Sequence, residues 1–108
     1  MSDPDLLDAD GEPPVETEDF GNGDGRYIIR FPDGEDAEMT WVNAGEGEIS
    51  IDHTFTPPSR RGGGIAFRMM EKAIADARAS GVKIFPGCPY VAAQFKRHPE
   101  WADVRAPD

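Results

Sequence analysis

Three consecutive glycines preceded by two arginines form the segment of this sequence whose chemistry is easiest to interpret. Gly62, Gly63 and Gly64 follow Arg60 and Arg61 in the run SRRGGGIAF. Glycine lacks the Cβ that would keep a ligand away from the backbone, and it adopts dihedral angles that other residues avoid. If a helix begins here, the free amides of its first turn and its dipole attract anions, and the arginines add charge for phosphate oxygens. The segment therefore predicts a binding site for a diphosphate.

Four other interpretations of the glycine segment compete with this one. A nucleotide P-loop requires Lys and then Ser or Thr after its last glycine, where this chain has Ile65 and Ala66. A dinucleotide fingerprint starting at Gly62 requires Gly or Ala in place of Phe67, and an acidic residue about 20 residues later that is also missing. Arg/Gly tracts that bind RNA are repeated and lie in basic chains, whereas this segment is single and the chain is acidic. A flexible loop that binds nothing stays open, although the position before a helix argues against it.

Alternating apolar and polar residues predict the strands that lead to the glycine segment. Residues 26–31 are rich in β-formers, and after a turn the alternation over residues 37–42 completes a hairpin. Residues 48–55, with the sequence EISIDHTF, predict a third strand that ends before Pro57 and Pro58. In a regular strand, one face would carry Ile49, Ile51, His53 and Phe55.

The helical pattern after the glycines predicts the remaining elements. Apolar residues at helical spacing indicate a helix from about Gly62 to Ser80, which Gly81 ends. A short strand follows at residues 82–85, and a second helix over residues 90–96. Because a strand, crossover helix and strand lie parallel, whereas strands joined by short turns lie antiparallel, we predict an α/β (α+β) fold. Its sheet is mixed and mainly antiparallel.

Charge divides the chain into two parts. The formal net charge is −10, but nine of the 21 acidic residues and none of the 11 basic ones lie in Met1–Asp24. That segment has few apolar groups to offset its ordering entropy, so we predict a disordered acidic tail and one folded domain over residues 25–108. A chain of 108 residues has no room for a second catalytic domain.

The composition also predicts the cellular compartment and argues against several kinds of partner. One cysteine, Cys88, permits no intrachain disulfide and favours a reducing compartment. Neither a signal peptide nor an apolar stretch of about 18 residues is visible, so we expect a cytoplasmic protein without a membrane partner. His53 and His98 are far apart in sequence and form no metal-ligand cluster, so we predict no metal. The acidic balance argues against nucleic acid, and a small domain could be a monomer or a homodimer.

The sequence resembles the GNAT acetyltransferases over about Arg26 to Val104. Their cofactor motif reads Gln/Arg-x-x-Gly-x-Gly/Ala, and this chain has Arg61-Gly62-Gly63-Gly64-Ile65-Ala66. A His-Thr strand, the glycine loop, a Pro-x-Cys-Pro turn and a terminal His-Pro-Glu-aromatic appear in the order of a compact subfamily of single-domain members. The resemblance implies a trimmed GNAT fold without the helices that larger members place between the first two strands.

The resemblance also implies where acetyl-coenzyme A would bind. Backbone amides from Arg61 to Ala66 would hold the pyrophosphate. The pantetheine arm would follow the edge of the third strand, which should splay from the strand at residues 82–85. The thioester would then lie near the turn before the second helix. The implied cofactor-binding residues are Thr54, Phe55, Thr56, Arg60, Arg61, Gly62, Gly63, Gly64, Ile65, Ala66, Cys88, Pro89 and Tyr90.

Few side chains can supply the chemistry of acetyl transfer. Cys88 could protonate the leaving thiolate, or could itself be acylated, and an inert buried cysteine is the competing interpretation. His53 has the titration range of a general base, although a buried structural histidine is at least as consistent with the pattern. Tyr90 could offer a hydroxyl, but packing of its ring explains it equally well. Many GNAT enzymes carry a tyrosine acid further along the last helix, where this chain has Gln94 and Phe95.

Three functions follow as hypotheses. The first is an acetyl-CoA-dependent N-acetyltransferase that acts on a small-molecule amine or on a lysine of a peptide or protein, with direct transfer favoured over an acyl-cysteine. The second is a non-catalytic module that binds or senses acyl-CoA. The third is an acidic interaction factor that acts through its tail.

Overall fold

Five strands form one sheet in which strands that are neighbours in sequence are also neighbours in space. The computed structural model describes residues 13–107. The strands are β1 (Glu16–Asp19), β2 (Gly25–Arg30), β3 (Asp36–Gly45), β4 (Glu48–Phe55) and β5 (Lys83–Pro86). The helices are α1 (Ile65–Ser80) and α2 (Pro89–Arg97), with 3-10 turns at Pro58–Arg60 and Pro99–Val104. β1 to β4 pair antiparallel, and β5 pairs parallel with β4, so the predicted mixed, mainly antiparallel sheet is confirmed.

The core lies between α1 and one face of the sheet. Alternate residues of β2 and β3 point to this face, and the helix contributes its apolar stripe, including Met69 and Met70, which are fully buried. Both methionines therefore belong to the core. The side chains that α1 covers include Tyr27, Ile29, Ala37, Met39 and Ile51.

The sheet has a strand that the composition did not reveal. β1 lies inside the segment predicted to be an acidic tail, and it pairs with β2 over its full length. Glu18 contacts Arg26 Nε at 2.5 Å and Arg30 Nη2 at 2.7 Å. Because Glu16 and Glu18 of β1 face arginines of β2, their charge is compensated in the sheet. The disorder prediction is therefore wrong for residues 13–24, while residues 1–12 lie outside the described part of the chain.

β4 contains one extra residue relative to β3. Thr40 pairs with His53, but the next residue of β3, Trp41, pairs with Ile51. Asp52 is therefore left without a partner on β3. This is a β-bulge, and it moves every later residue of β4 to the opposite face from the one that strict alternation predicts.

The bulge corrects the predicted faces of β4. Thr54 pairs with the buried Met39, so its side chain lies on the core face. His53 and Phe55 lie on the other face, which we call the outer face, and both are exposed to solvent. The prediction that these two residues share a face with Ile51 is wrong.

Two glycines delimit α1. The helix begins at Ile65, three residues later than predicted, with Gly64 as its N-cap. It ends at Ser80 with Gly81 as its C-cap, as the sequence indicates. Within residues 13–107, neither helix is long and apolar enough to cross a membrane.

Candidate active site

An open cleft of about 470 Å³ lies where the end of β4, the glycine loop and the start of α2 meet. Phe67 lines it, although no motif in the sequence marks this residue as part of a binding site. Gly63 lines a second hollow of about 340 Å³ that shares Arg60, Arg61, Gly62 and Ile65 with the cleft. The other lining residues of the cleft all belong to the predicted set, and they are Thr54, Thr56, Arg60, Arg61, Gly62, Gly64, Ile65, Ala66 and Tyr90.

Two glycines give the loop its shape. Gly62 has a φ of 87° and Gly64 a φ of 78°, in the left-handed region that other residues rarely adopt. A Cβ at either position would meet no atom within 4 Å, so the constraint on each is conformational and the space beside it is open. The loop thus turns sharply into α1 without placing a side chain in front of the helix.

The first turn of α1 keeps unpaired amides next to the cleft. The first helical bond runs from Arg68 N to Gly64 O at 3.1 Å, so the amides of Ile65, Ala66 and Phe67 precede the intrahelical ladder. Gly64 offers no side chain to cap them, and the first turn carries no acidic residue. These donors and the positive end of the helix dipole are therefore available to an anion.

The two predicted arginines hold the loop in place. Arg60 Nη2 contacts Asp33 Oδ2 at 2.9 Å, and its guanidinium lies 3.7 Å from the centre of the Phe31 ring. The Glu35 backbone amide, and after it Arg60, holds the pKa of Asp33 below its ordinary value. Arg61 donates from Nε to Thr56 O at 3.0 Å. Both arginines thus add positive charge to the cleft wall while they tie the loop to the sheet.

β4 and β5 separate next to the cleft. Their parallel pairing ends at Ile51 and Pro86, and β4 continues while the other chain turns into α2. Across this gap, Thr54 Oγ1 and Cys88 Sγ are 3.5 Å apart, within hydrogen-bonding distance. Cys88 is half-buried and is the N-cap of α2. The bulge in β4 therefore places the Thr54 hydroxyl next to Cys88, the only cysteine in the sequence.

Gly87 allows the turn after β5 to approach β4 closely. A Cβ at this position would clash with Asp52 Oδ1, and would lie 2.5 Å from Ser50 Oγ and 2.9 Å from Ile51 O. A residue with a side chain would have to push the turn away from β4, and Cys88 with it. The sequence pattern gave no signal for this contact, because it joins residues that are far apart in the chain.

The predicted base His53 is not part of the cleft wall. Its Nε2 lies 3.8 Å from Glu38 Oε2 on the outer face, and 57% of its side chain is exposed. The expectation that it points into the core or into the cleft is wrong, because the bulge turned it outward. Phe55 also faces outward, so only its backbone can border the ligand path, and Pro89 lies in the first turn of α2.

Tyr90 contributes a phenol hydroxyl to the cleft. Its side chain is half-buried, and burial is the main cause that raises the pKa of its phenol above the ordinary value of 10.0. The phenol therefore keeps its proton at neutral pH and can donate it. Further along α2, positions 94 and 95 are the buried Gln94 and Phe95, and neither side chain carries a hydroxyl.

The parallel pair of a mixed sheet thus separates beside the glycine-rich start of α1. The family model of GCN5-related N-acetyltransferases matches residues 26–104. A search of the curated proteins found no significant match. Among solved structures, the chain is similar to a GCN5-like candidate N-acetyltransferase from Staphylococcus aureus studied by NMR. The TM-score is 0.63 at 21% identity, over 86% of this chain and 89% of the other, which supports the fold. This chain belongs to the GCN5-related N-acetyltransferase family.

Proposed function

We propose that the protein transfers an acetyl group from acetyl-CoA to an amine. The observation that carries the proposal is the start of α1, where unpaired amides follow two glycines in left-handed conformations and open onto the cleft. A diphosphate matches these donors in charge and in hydrogen bonding. Arg60 and Arg61 add charge for the phosphate oxygens.

The remaining predicted residues fit the rest of the same ligand. The pantetheine arm would run along Thr54, the backbone of Phe55 and Thr56 towards Cys88 and the start of α2. This path follows the unpaired end of β4, whose backbone groups have no partner on β5. An amide-containing arm can therefore pair with the strand edge as an added strand would.

The transfer requires a neutral amine and an acid. The amine nitrogen forms a bond to the carbonyl carbon of the thioester, the carbon–sulfur bond breaks, and the coenzyme A thiolate takes up a proton. Tyr90 and Cys88 are the candidate donors of this proton, because Tyr90 lines the cleft and Cys88 faces Thr54 across the gap. We favour direct transfer over an acetyl-cysteine intermediate, since Cys88 is held by Thr54 and is only half-exposed.

A non-catalytic module that binds acyl-CoA is the alternative. It is favoured by the buried Gln94 and Phe95, which leave the later part of α2 without a hydroxyl. The two functions predict the same affinity for acetyl-CoA and differ in turnover.

Calorimetry with acetyl-CoA, followed by a thiol-release assay on a panel of amines, tests the proposal. We expect binding, and release of coenzyme A with at least one amine. Binding without turnover on any acceptor would favour the module. If neither coenzyme A nor its acetyl ester binds at millimolar concentration, both functions are excluded.

Intact mass spectrometry after mixing with acetyl-CoA tests the role of Cys88. With direct transfer, the protein mass stays unchanged, and Cys88→Ala retains acetyl-CoA affinity. A stable gain of one acetyl group that disappears in Cys88→Ala would instead establish a covalent route.

A further inference from the structure

Asp52 lies where β4 and β5 separate. It is the extra residue of the β4 bulge, and the last paired residues of the two strands, Ile51 and Pro86, come directly before the gap. A Cβ on Gly87 would clash with Asp52 Oδ1, so the carboxylate touches the backbone one residue before Cys88. Asp52 is therefore an acidic side chain at the outer opening of the proposed reaction site.

The carboxylate of Asp52 is not engaged by a cation. It accepts a hydrogen bond from the Ser50 hydroxyl, it is exposed to solvent, and it forms no ion pair with any residue in 13–107. The carboxylates on the outer face of β1 and β3 differ in this respect, because each contacts Arg26 or Arg30 of β2. These paired carboxylates are Glu16, Glu18, Asp36 and Glu38.

Two exposed aromatic side chains flank this carboxylate. Phe85, opposite Ser50 on β5, is 40% exposed, and Phe55, at the end of β4, is 39% exposed. Both lie on the outer face, Phe85 in the paired stretch just before the gap and Phe55 beyond Asp52 on β4. Aromatic faces attract cations and cover alkyl chains, so these rings complement a carboxylate in binding an alkylammonium ion.

We infer that Asp52 determines acceptor specificity by binding the ammonium group of a primary alkylamine, such as a polyamine or a lysine side chain. The inference rests on the proposed function, since it names the acceptor of the same reaction. Asp52 holds the charged amine at the outer side of the gap, with Phe55 and Phe85 against its alkyl chain. The amine loses one proton to solvent before its nitrogen attacks the thioester.

Steady-state kinetics of Asp52→Asn tests this role. Asparagine keeps the hydrogen bond from Ser50 and removes the charge. We expect KM to rise about tenfold for spermidine and for a lysine peptide, because a charge-assisted contact is lost. The kcat, the acetyl-CoA affinity and the KM for an aromatic amine that is neutral at pH 7 should stay unchanged, and Asp52→Glu should restore part of the loss.

Asp36→Asn is the matched control, since it removes the same charge from the outer face beside Arg30. It should leave the KM for spermidine at the wild-type value. An equal rise in the control, an equal rise for the neutral amine, or no rise in Asp52→Asn would overturn the inference.

An amide NMR titration tests the same inference without turnover. Spermidine added to the acetyl-CoA complex, and separately to the free protein, should shift the amides of Ser50 and Gly87 in wild type and not in Asp52→Asn. Failure to bind acetyl-CoA removes the proposed function, whereas these shifts report on Asp52 in either state. Identical spectra of wild type with and without spermidine would reject the ammonium site.

Discussion

The two ends of α1 are both flanked by a glycine in a left-handed conformation, yet only one end is closed by hydrogen bonds. At the C-terminal end, Gly81 has a φ of 75°, and the amides of Gly81 and Val82 both donate to Ala77 O, at 2.9 and 3.1 Å. At the other end, Gly64 has a φ of 78° and caps no amide with a side chain. The same residue in the same conformation thus ends the helix in one place and exposes donors in the other.

The charges around α1 follow the same division. Arg78 lies in the last turn, where a cation is favourable, and it contacts Asp103 at 2.9 Å. The first turn has no acidic residue to neutralise the positive end of the dipole. The C-terminal end of α1 therefore serves stability, whereas the N-terminal end leaves favourable electrostatics for a ligand.

The same side chain placed at both glycines should have very different effects on ligand binding at the two ends of α1. Gly64→Val should raise the Kd for acetyl-CoA by more than about 100-fold, because the side chain would stand in the open space before the helix and restrict the loop. Gly81→Val should leave that Kd within about twofold of wild type. Each variant should lose roughly 1–2 kcal/mol of unfolding free energy, because both glycines adopt the left-handed region.

Calorimetry and urea denaturation on the two variants separate binding from folding. A Kd for Gly64→Val equal to that of wild type would remove the loop from the site. Equal losses of affinity in both variants would show that any destabilisation of α1 weakens binding.

A smaller effect on the Kd for acetyl-CoA is expected when one positive charge is removed near either end of α1. Arg61→Gln should raise the Kd for acetyl-CoA about tenfold, since it loses a charge for phosphate and the bond to Thr56 O. Arg78→Gln should change the melting temperature and leave the Kd unchanged, since its partners are Asp103 and the Glu100 carbonyl. Increasing the salt concentration should weaken acetyl-CoA binding less in Arg61→Gln than in wild type. Equal losses of acetyl-CoA affinity in Arg61→Gln and Arg78→Gln would contradict the assignment of binding to the N-terminal end of α1.

Much of the fold could be predicted because local periodicity and turn residues specify it. Residues 48–55 are a strand as predicted, and Gly81 ends α1. β1 was missed because an acidic composition, averaged over the segment, hides the fact that Glu18 meets Arg26 and Arg30 across the sheet. Such compensation depends on contacts that the linear charge pattern does not contain.

The candidate site could be predicted only where its residues are adjacent in sequence. The glycine loop is continuous, and its composition indicated its shape. The orientation of His53 could not be predicted, because the extra residue Asp52 leaves no mark in the alternation. Gly87 and Asp52 acquire their roles through a contact between the turn after β5 and β4, which only the assembled sheet brings about.

The smallest expected effect is a pH dependence that belongs to the closed end of α1. The side-chain hydrogen bond from Arg78 is the main cause that holds the pKa of Asp103 below its ordinary value of 3.8. A carboxyl group with a lowered pKa in the folded state stabilises the fold above its unfolded pKa, and that contribution is lost as the pH falls through the folded pKa. At pH values below about 4 the melting temperature should therefore decrease, and it should decrease less steeply in Asp103→Asn than in wild type.

Because Glu18 and Asp33 also have lowered pKa values, the variant should keep part of this pH dependence. At pH 7 it should bind acetyl-CoA as wild type does, and parallel melting curves against pH for the two proteins would show that the contact with Arg78 contributes nothing to stability.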